Sequence, residues 1–71
     1  MYSEKPVRYG QLSHQFGYRL PLRVLSSPAG FYLGTANEEG PVSRESVEYF
    51  TTNEAAEQAL DSGRWTQRNH V

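Results

Sequence analysis

Hydrophobic and polar positions alternate over a short stretch in the first half of the chain. In YRLPLRVL, Leu20, Leu22 and Val24 alternate with arginine and proline, which is the period of a half-buried strand. Pro21 has no main-chain N–H to donate, so it belongs on an edge strand or beside a bulge. The serine, proline and glycine of SSPAG then predict a turn. We therefore expect a first strand at a sheet edge, followed by a turn.

The stretch GFYLGTA predicts a second strand directly after that turn. Phe31 and Leu33 fall on one face of it, and Tyr32 falls on the other face with Gly34. A glycine within a strand marks a bulge or the close approach of another group. We therefore expect an aromatic ring, from Tyr32 or Trp65, to lie against Gly34.

A glycine-rich segment, LGTANEEG, leads out of the second strand and raises the question of a phosphate loop. Such a loop needs a lysine after its glycines and a helix behind it. This segment has no lysine, leads toward another strand-like stretch and carries two glutamates that would repel phosphate. We interpret it as a hairpin connection. The stretch RESVEYF, from Arg44 to Phe50, then predicts a third strand.

The stretch TTNEAAEQAL carries the clearest local signal in the chain. Thr51 with Glu54 three residues later fits a capping box, and Phe50 before the cap can pack on Ala55 as a hydrophobic staple. Gly63 predicts the end of the helix. A helix of about ten residues is not stable alone, so it must pack on the sheet. Its predicted inner stripe consists of Ala55, Ala56, Ala59 and Leu60.

The two ends of the chain have weaker patterns. Residues 1–17 have no clear period and are broken by proline and glycine, so we expect an irregular arm there, with a short strand near Val7. Trp65, after the helix, is expected to close the core at one end, with a binding role as the alternative. The element order predicts a single small α+β domain over residues 1–71. Three or four antiparallel strands would carry one C-terminal helix on one face.

Composition limits what such a domain can be. A chain of 71 residues builds only a small core. Cysteine is absent, which excludes disulfides and thiolate metal sites. No apolar run approaches the roughly 18 residues that a membrane span needs, and the first ten residues contain no apolar signal-peptide region. We therefore expect a cytoplasmic protein with no membrane contact.

Catalytic chemistry finds little support in the sequence. His14 and His70 are the only histidines, and neither has a second ligand at helical or strand spacing. Ser13 stands beside His14, but neighbouring side chains of a strand point to opposite faces. Carboxylate pairs such as Glu45 and Glu48 are expected on solvated faces. The sequence therefore predicts no enzyme, no cofactor and no metal.

Charge is divided unevenly along the chain. Residues 1–37 carry four basic residues and one acidic residue, whereas residues 38–71 carry three basic and seven acidic ones. Arg19 and Arg23 are expected to share one face of the first strand. We expect them to pair with Glu45 and Glu48 on a neighbouring strand. Steering of a charged partner is the alternative.

Two binding functions fit these features. The leading hypothesis is a non-enzymatic protein-binding module, because tyrosine and arginine are enriched where protein partners bind. Its predicted contact residues are Arg19, Arg23, Tyr32, Glu48 and Trp65. A homodimer, an adaptor or an inhibitor would fit equally well.

The alternative is a small nucleic-acid-binding domain, because arginines and aromatic residues interleave as they do in single-strand binders. Its predicted contact residues are Arg8, Tyr9, Tyr18, Arg19 and Arg23. The chain lacks the net positive charge of a dedicated nucleic-acid binder, and this favours the protein-binding hypothesis.

The second half of the chain also carries an extended motif. It runs from Gly30 to Arg68 as GFYxGT, EGPxSRxSxEYF, EAAxxAL and GxWxQR. In this pattern the chain resembles a group of short bacterial proteins carried by plasmids, prophages and other mobile DNA. The group has no known activity to transfer. The resemblance implies a small accessory or inhibitor protein that occupies a surface of a larger host complex.

Overall fold

The computed structural model describes residues 8–69, which form two helices and three strands. In chain order these are α1 (Gln11–Gln15), β1 (Arg23–Ser27), β2 (Gly30–Asn37), β3 (Gly40–Arg44) and α2 (Asn53–Ser62). The strands form one antiparallel sheet in the order β1-β2-β3. This confirms the predicted small α+β fold, in which an antiparallel sheet is followed by a helix. Within the described part of the chain, no helix is long and apolar enough to cross a membrane.

The hairpin predicted for LGTANEEG is confirmed. Asn37 lies opposite Gly40 across the β2–β3 turn, and the Asn37 Oδ1 accepts a hydrogen bond from the Glu39 N–H at 2.9 Å. The register then shifts by one residue between Thr35 and Ala36. Because of this bulge, Arg44 lies opposite Gly34, where an unbroken hairpin would have placed the preceding serine.

The first strand is shorter than predicted, since β1 begins only at Arg23. Pro21 instead forms an isolated antiparallel bridge with Tyr9. The Gly10 N–H donates to the Leu20 carbonyl at 3.0 Å, and two residues further on the Leu22 N–H donates to the Arg8 carbonyl at 2.7 Å. Pro21 has no N–H for a continuous ladder, so this segment pairs outside the sheet.

The third strand was predicted in the wrong place. β3 precedes most of RESVEYF, and the chain leaves the sheet after Arg44 and returns only at Phe50. There, Phe50 and Phe31 exchange two main-chain hydrogen bonds, of 2.9 and 2.6 Å. In between, the N–H groups of Glu45 and Ser46 both donate to the Leu33 carbonyl, at 2.8 and 3.0 Å. Two donors on one acceptor interrupt the ladder, and the Glu45 side chain turns into the protein.

The helix α2 begins one residue later than predicted. Its N-cap is Thr52, whose Oγ1 accepts a hydrogen bond from the Ala55 N–H at 3.0 Å. The capping box of Thr51 with Glu54 is therefore wrong, because the residue at the third helical position is an alanine. The predicted end is confirmed, since Gly63 has a φ of 75° and its N–H donates to the Ala59 carbonyl at 2.8 Å.

The core lies between α2 and one face of the sheet. Leu33 and Ala56 are fully buried, Ala59 nearly so, and larger apolar side chains close around them. The surrounding side chains are Val24, Phe31, Phe50, Leu60 and Trp65. This confirms Ala56, Ala59 and Leu60 of the predicted stripe and the predicted packing of Trp65 on the core, whereas Ala55 is half-buried outside this cluster. Small side chains at the interface let the helix approach the sheet closely.

The irregular arm expected over residues 1–17 contains a helix, because α1 spans Gln11–Gln15. Leu12 and Ser13 of this helix are buried. The N-cap residue of α1 is Gly10, which has no side chain to accept a hydrogen bond. The first N–H groups of α1 therefore need acceptors from elsewhere in the fold. The strand expected near Val7 lies outside the described residues.

Candidate functional site

The two faces of the sheet differ in what covers them. Leu33 and Thr35 point to the face that carries the helices, and Arg23, Gly34 and Arg44 lie side by side on the other face. We call the residues Arg23, Tyr32, Gly34, Arg44 and Tyr49 of this second face the arginine–tyrosine face. Leu25 lies on the same face, opposite Tyr32. Among the described residues, both helices lie on the opposite side of the sheet.

Tyr49 covers Tyr32 on this face. Their ring centroids are 6.0 Å apart and the rings are nearly perpendicular, at 74°. This edge-to-face arrangement leaves Tyr32 only 8% exposed, whereas Tyr49 is 41% exposed. Tyr32 was predicted as an exposed contact residue, and the structure corrects this: it is the support beneath Tyr49.

Arg44 is held against the same tyrosine. Its guanidinium lies over the Tyr49 ring, 4.8 Å from the centroid, and its Nη1 donates a hydrogen bond to the Tyr49 hydroxyl. Such a stacked cation gains cation–π attraction and loses much of its rotamer freedom. The Nε of Arg44 is buried and has no hydrogen-bond partner among the described residues. The guanidinium is therefore positioned without being neutralised.

Gly34 separates the two arginines of the face. A Cβ at this position would overlap the Ser43 carbonyl oxygen and lie 3.1 Å from the Tyr32 ring. The predicted contact of an aromatic ring with Gly34 is thus confirmed, with Tyr32 as the ring. Arg23 and Arg44 flank this glycine on the two outer strands, about 10 Å apart at their Cα atoms from the usual strand spacing.

The Glu45 carboxylate is fully buried and binds the first turn of α1. It accepts from the Leu12 N–H at 3.0 and 3.1 Å and from the Ser13 N–H at 3.1 Å. It also accepts from the Ser43 hydroxyl at 2.6 Å and from the Gln67 amide at 2.7 Å. A carboxylate thus supplies the acceptors that the N-terminus of α1 needs.

These hydrogen bonds decide the protonation of Glu45. Burial alone raises the pKa of the carboxyl, because it disfavours the charged form. The hydrogen bonds from Leu12, Ser43, Gln67 and Ser13 favour that form, and together they hold the pKa below its ordinary value. Glu45 is therefore a charged structural group near neutral pH.

Glu48 binds the segment after α2 in a similar way. Its two carboxylate oxygens accept from the Thr66 N–H at 2.9 and 3.1 Å. Burial raises its pKa and the hydrogen bonds from Thr66 lower it, with a net lowering. The predicted pairing of Arg19 and Arg23 with Glu45 and Glu48 is wrong, because both carboxylates accept from main-chain donors. Glu48 was predicted as a partner-contact residue, but its carboxylate is already bound to Thr66 within the protein.

The residues of the nucleic-acid hypothesis do not form one surface. The Arg19 guanidinium lies 4.8 Å from the centroid of the Tyr9 ring, and Tyr18 is exposed nearby in sequence. Arg8 instead lies at the end of α2, where a Cβ on Gly63 would come within 3.3 Å of its Nη1. The fifth residue, Arg23, belongs to the arginine–tyrosine face.

Two other features belong to the N-terminal part of the described chain. Phe16 is 55% exposed, which was not predicted from the sequence, and Tyr9 and Tyr18 are exposed as well. The pair Ser13 and His14 offers no nucleophile, because Ser13 is fully buried and donates to the Gly10 carbonyl while His14 is exposed. Between residues 8 and 69, no group of three or more His, Asp or Glu side chains is placed to hold a metal ion.

Arg44 and Tyr49, the two residues that complete the face, were not predicted from the sequence. Both fall in the stretch that was predicted as a regular strand, where their side chains would point to opposite faces. The interruption after Arg44 brings them to the same face.

The chain matches no protein-family model, no curated protein and no solved structure.

Proposed function

We propose that this chain is a non-enzymatic protein-binding module, and that its contact surface is the arginine–tyrosine face. The observation that carries the proposal is the exposed Tyr49 ring and the two guanidinium groups on a sheet face that bears neither described helix. Tyrosine and arginine dominate the residues that contribute most to protein interfaces.

The supports beneath this face favour binding. Tyr32 holds the Tyr49 ring from below and the Arg44 guanidinium stacks on it, so the two large side chains are ordered before a partner arrives. Ordering a free side chain at an interface costs about 0.5–1.5 kcal/mol. A surface whose side chains are already ordered avoids most of that cost.

The proposal keeps part of the contact set expected from the sequence. Arg23 is exposed on the face and remains a contact residue. Tyr49 takes the place of Tyr32, and Arg44 is added. Trp65 packs on the core and Glu48 binds Thr66, so neither belongs to the proposed surface.

The biological setting is proposed from the sequence pattern alone. The motif between Gly30 and Arg68 includes the residues of the face other than Arg23. Its resemblance to bacterial proteins of plasmids and prophages supports an accessory or inhibitor protein that acts on a larger host complex.

A small nucleic-acid-binding domain is the second candidate. The observation that favours it is the Arg19 guanidinium over Tyr9, with Phe16 and Tyr18 exposed in the same segment. Bases stack on such rings, and arginine adds attraction to phosphate. Binding of this kind would weaken steeply with salt.

Affinity capture from a bacterial lysate, with and without nuclease, tests the proposal. Arg23→Gln and Tyr49→Ser change the face, whereas Arg64→Gln and Tyr18→Ser are matched controls at exposed positions elsewhere. Circular dichroism verifies that each variant is folded. We expect a nuclease-resistant protein partner that the first two variants lose and the controls retain.

Two results would contradict the proposal. Capture that all four variants retain would show that the face is not the contact surface. Loss of every partner with nuclease, together with loss in Tyr18→Ser, would favour the nucleic-acid candidate.

A further inference from the structure

We infer that the partner segment contacting the arginine–tyrosine face is extended and acidic, and that its carboxylates bind Arg23 and Arg44. This inference rests on the proposed function and specifies the chemistry of the partner. An acidic segment is the occupant that charge complementarity selects for this surface.

The face carries positive charge without compensation from its own sheet. The sequences of β1, β2 and β3 are RVLSS, GFYLGTAN and GPVSR, and none contains an acidic residue. Of the acidic residues next to the strands in sequence, Glu38 and Glu39 lie exposed in the β2–β3 turn, and Glu45 and Glu48 are bound to main-chain N–H groups. Among residues 8–69, neither Arg23 nor Arg44 forms an ion pair with a carboxylate.

Arg44 is prepared for a carboxylate by its stacking on Tyr49. The ring fixes the plane of the guanidinium, and only Nη1 is engaged with the Tyr49 hydroxyl. A planar guanidinium with donors to spare binds a carboxylate through two parallel hydrogen bonds. Such charge-assisted bonds are about twice as strong as neutral ones.

The spacing of the two arginines matches an extended chain. In such a chain, side chains two residues apart point the same way and are about 7 Å apart. Arg23 and Arg44 are about 10 Å apart at Cα, on either side of Gly34, and long side chains bridge the difference. A segment with acidic residues at alternate positions, running across the strands, places one carboxylate at each guanidinium.

Titration of the ¹⁵N-labelled protein at low ionic strength tests this inference by NMR. The probe is a capped peptide of six Glu-Ser repeats, and its control is the same peptide with Gln for Glu. A third titration uses a twelve-nucleotide oligothymidylate. We expect the Glu-Ser peptide to shift the amides of Gly34 and Arg44, and the Gln-Ser peptide to shift neither.

Variants show whether the arginines are the cause. Arg23→Gln should weaken binding of the Glu-Ser peptide about tenfold, because it removes one of two charge-assisted contacts. Arg64→Gln removes the same charge from the other side of the protein and should leave the affinity within about twofold. Both residues are exposed, so neither substitution threatens the fold.

Three results would overturn the inference. They are equal shifts with the Gln-Ser peptide, an affinity that Arg23→Gln leaves unchanged, and tighter binding of the oligothymidylate at the same amides. If lysate capture still depended on Arg23 and Tyr49 in those cases, the proposed function would stand and only the acidic partner would be wrong. If substitution of Arg23 and of Tyr49 left lysate capture unchanged, the proposed function itself would be wrong, whatever the peptide titrations showed.

Discussion

The buried carboxylate of Glu45 binds the main-chain N–H of Leu12, a residue 33 positions earlier in the chain, at 3.0 and 3.1 Å. This contact joins α1 to the end of β3. Through Gln67, the same carboxylate also holds the segment after α2. One glutamate therefore connects both ends of the described chain to the sheet, at the point where the chain leaves β3.

Glu45→Gln should destabilise the protein by about 3 kcal/mol. The amide keeps the shape of the side chain but loses its charge, and its NH₂ group is a donor placed among other donors. Urea denaturation measures the effect. Glu48→Gln is the matched control, since that carboxylate binds a single main-chain N–H near the surface and its loss should matter much less. Equal effects of the two substitutions would contradict the role given to Glu45.

The free energy of unfolding should decrease in acid, and protonation of the Glu45 carboxylate should account for part of the decrease. The folded-state pKa of this carboxyl is lowered, so the unfolded chain binds more protons than the folded one as the pH falls. The contribution is therefore fully present above the ordinary glutamate pKa, about 4.3, and is lost as the pH falls through the lowered value. Urea titrations between neutral pH and the acid limit should show a shallower loss in Glu45→Gln than in the native protein. An identical slope would refute the prediction.

Gly34→Ala should destabilise the protein by about 3 kcal/mol, because its Cβ would overlap the Ser43 carbonyl and force the paired strands apart. Gly17→Ala is an informative comparison. Gly17 has a φ of 88° but no atom within 4 Å of an added Cβ, so only backbone strain of about 1 kcal/mol is expected. Thermal or urea unfolding of the two variants separates crowding from strain. A Gly34 variant no less stable than the Gly17 variant would show that β3 can move away.

Of the two adjacent threonines before α2, only Thr52 caps the helix. Thr52→Ala removes the hydroxyl that accepts from the Ala55 N–H and should cost about 1 kcal/mol. Thr51→Ala removes no cap hydrogen bond and should be nearly neutral. The reverse order of stabilities would restore the capping box expected from the sequence.

Local patterns predicted the parts of the fold that depend on near neighbours. The alanine stripe of α2, the glycine that ends it and the β2–β3 hairpin all depend on residues a few positions apart. The two threonines before α2 both fit a cap locally, so sequence could not decide between them. Glu45 was expected on a solvated strand because its partners, Leu12 and Gln67, are distant in sequence.

The arrangement of the proposed contact surface depends on two irregularities of the fold that local sequence patterns do not predict. The bulge between Thr35 and Ala36 brings Arg44 opposite Gly34, and the turn at Glu45 brings Tyr49 over Tyr32. The alternation of hydrophobic and polar residues in a strand predicts neither the bulge nor the turn. Sequence therefore identified the correct residue types for a binding face and one of its exposed members, Arg23, but not the arrangement.

Hydrogen exchange of the protein, alone and in complex with the partner captured from lysate, tests the central claim most directly. We expect slower exchange on binding to be concentrated in β1, β3 and the segment around Tyr49, with the α1 region unchanged. Slower exchange confined to residues 9–19, with β1 and β3 unaffected, would contradict the assignment of the arginine–tyrosine face as the binding surface.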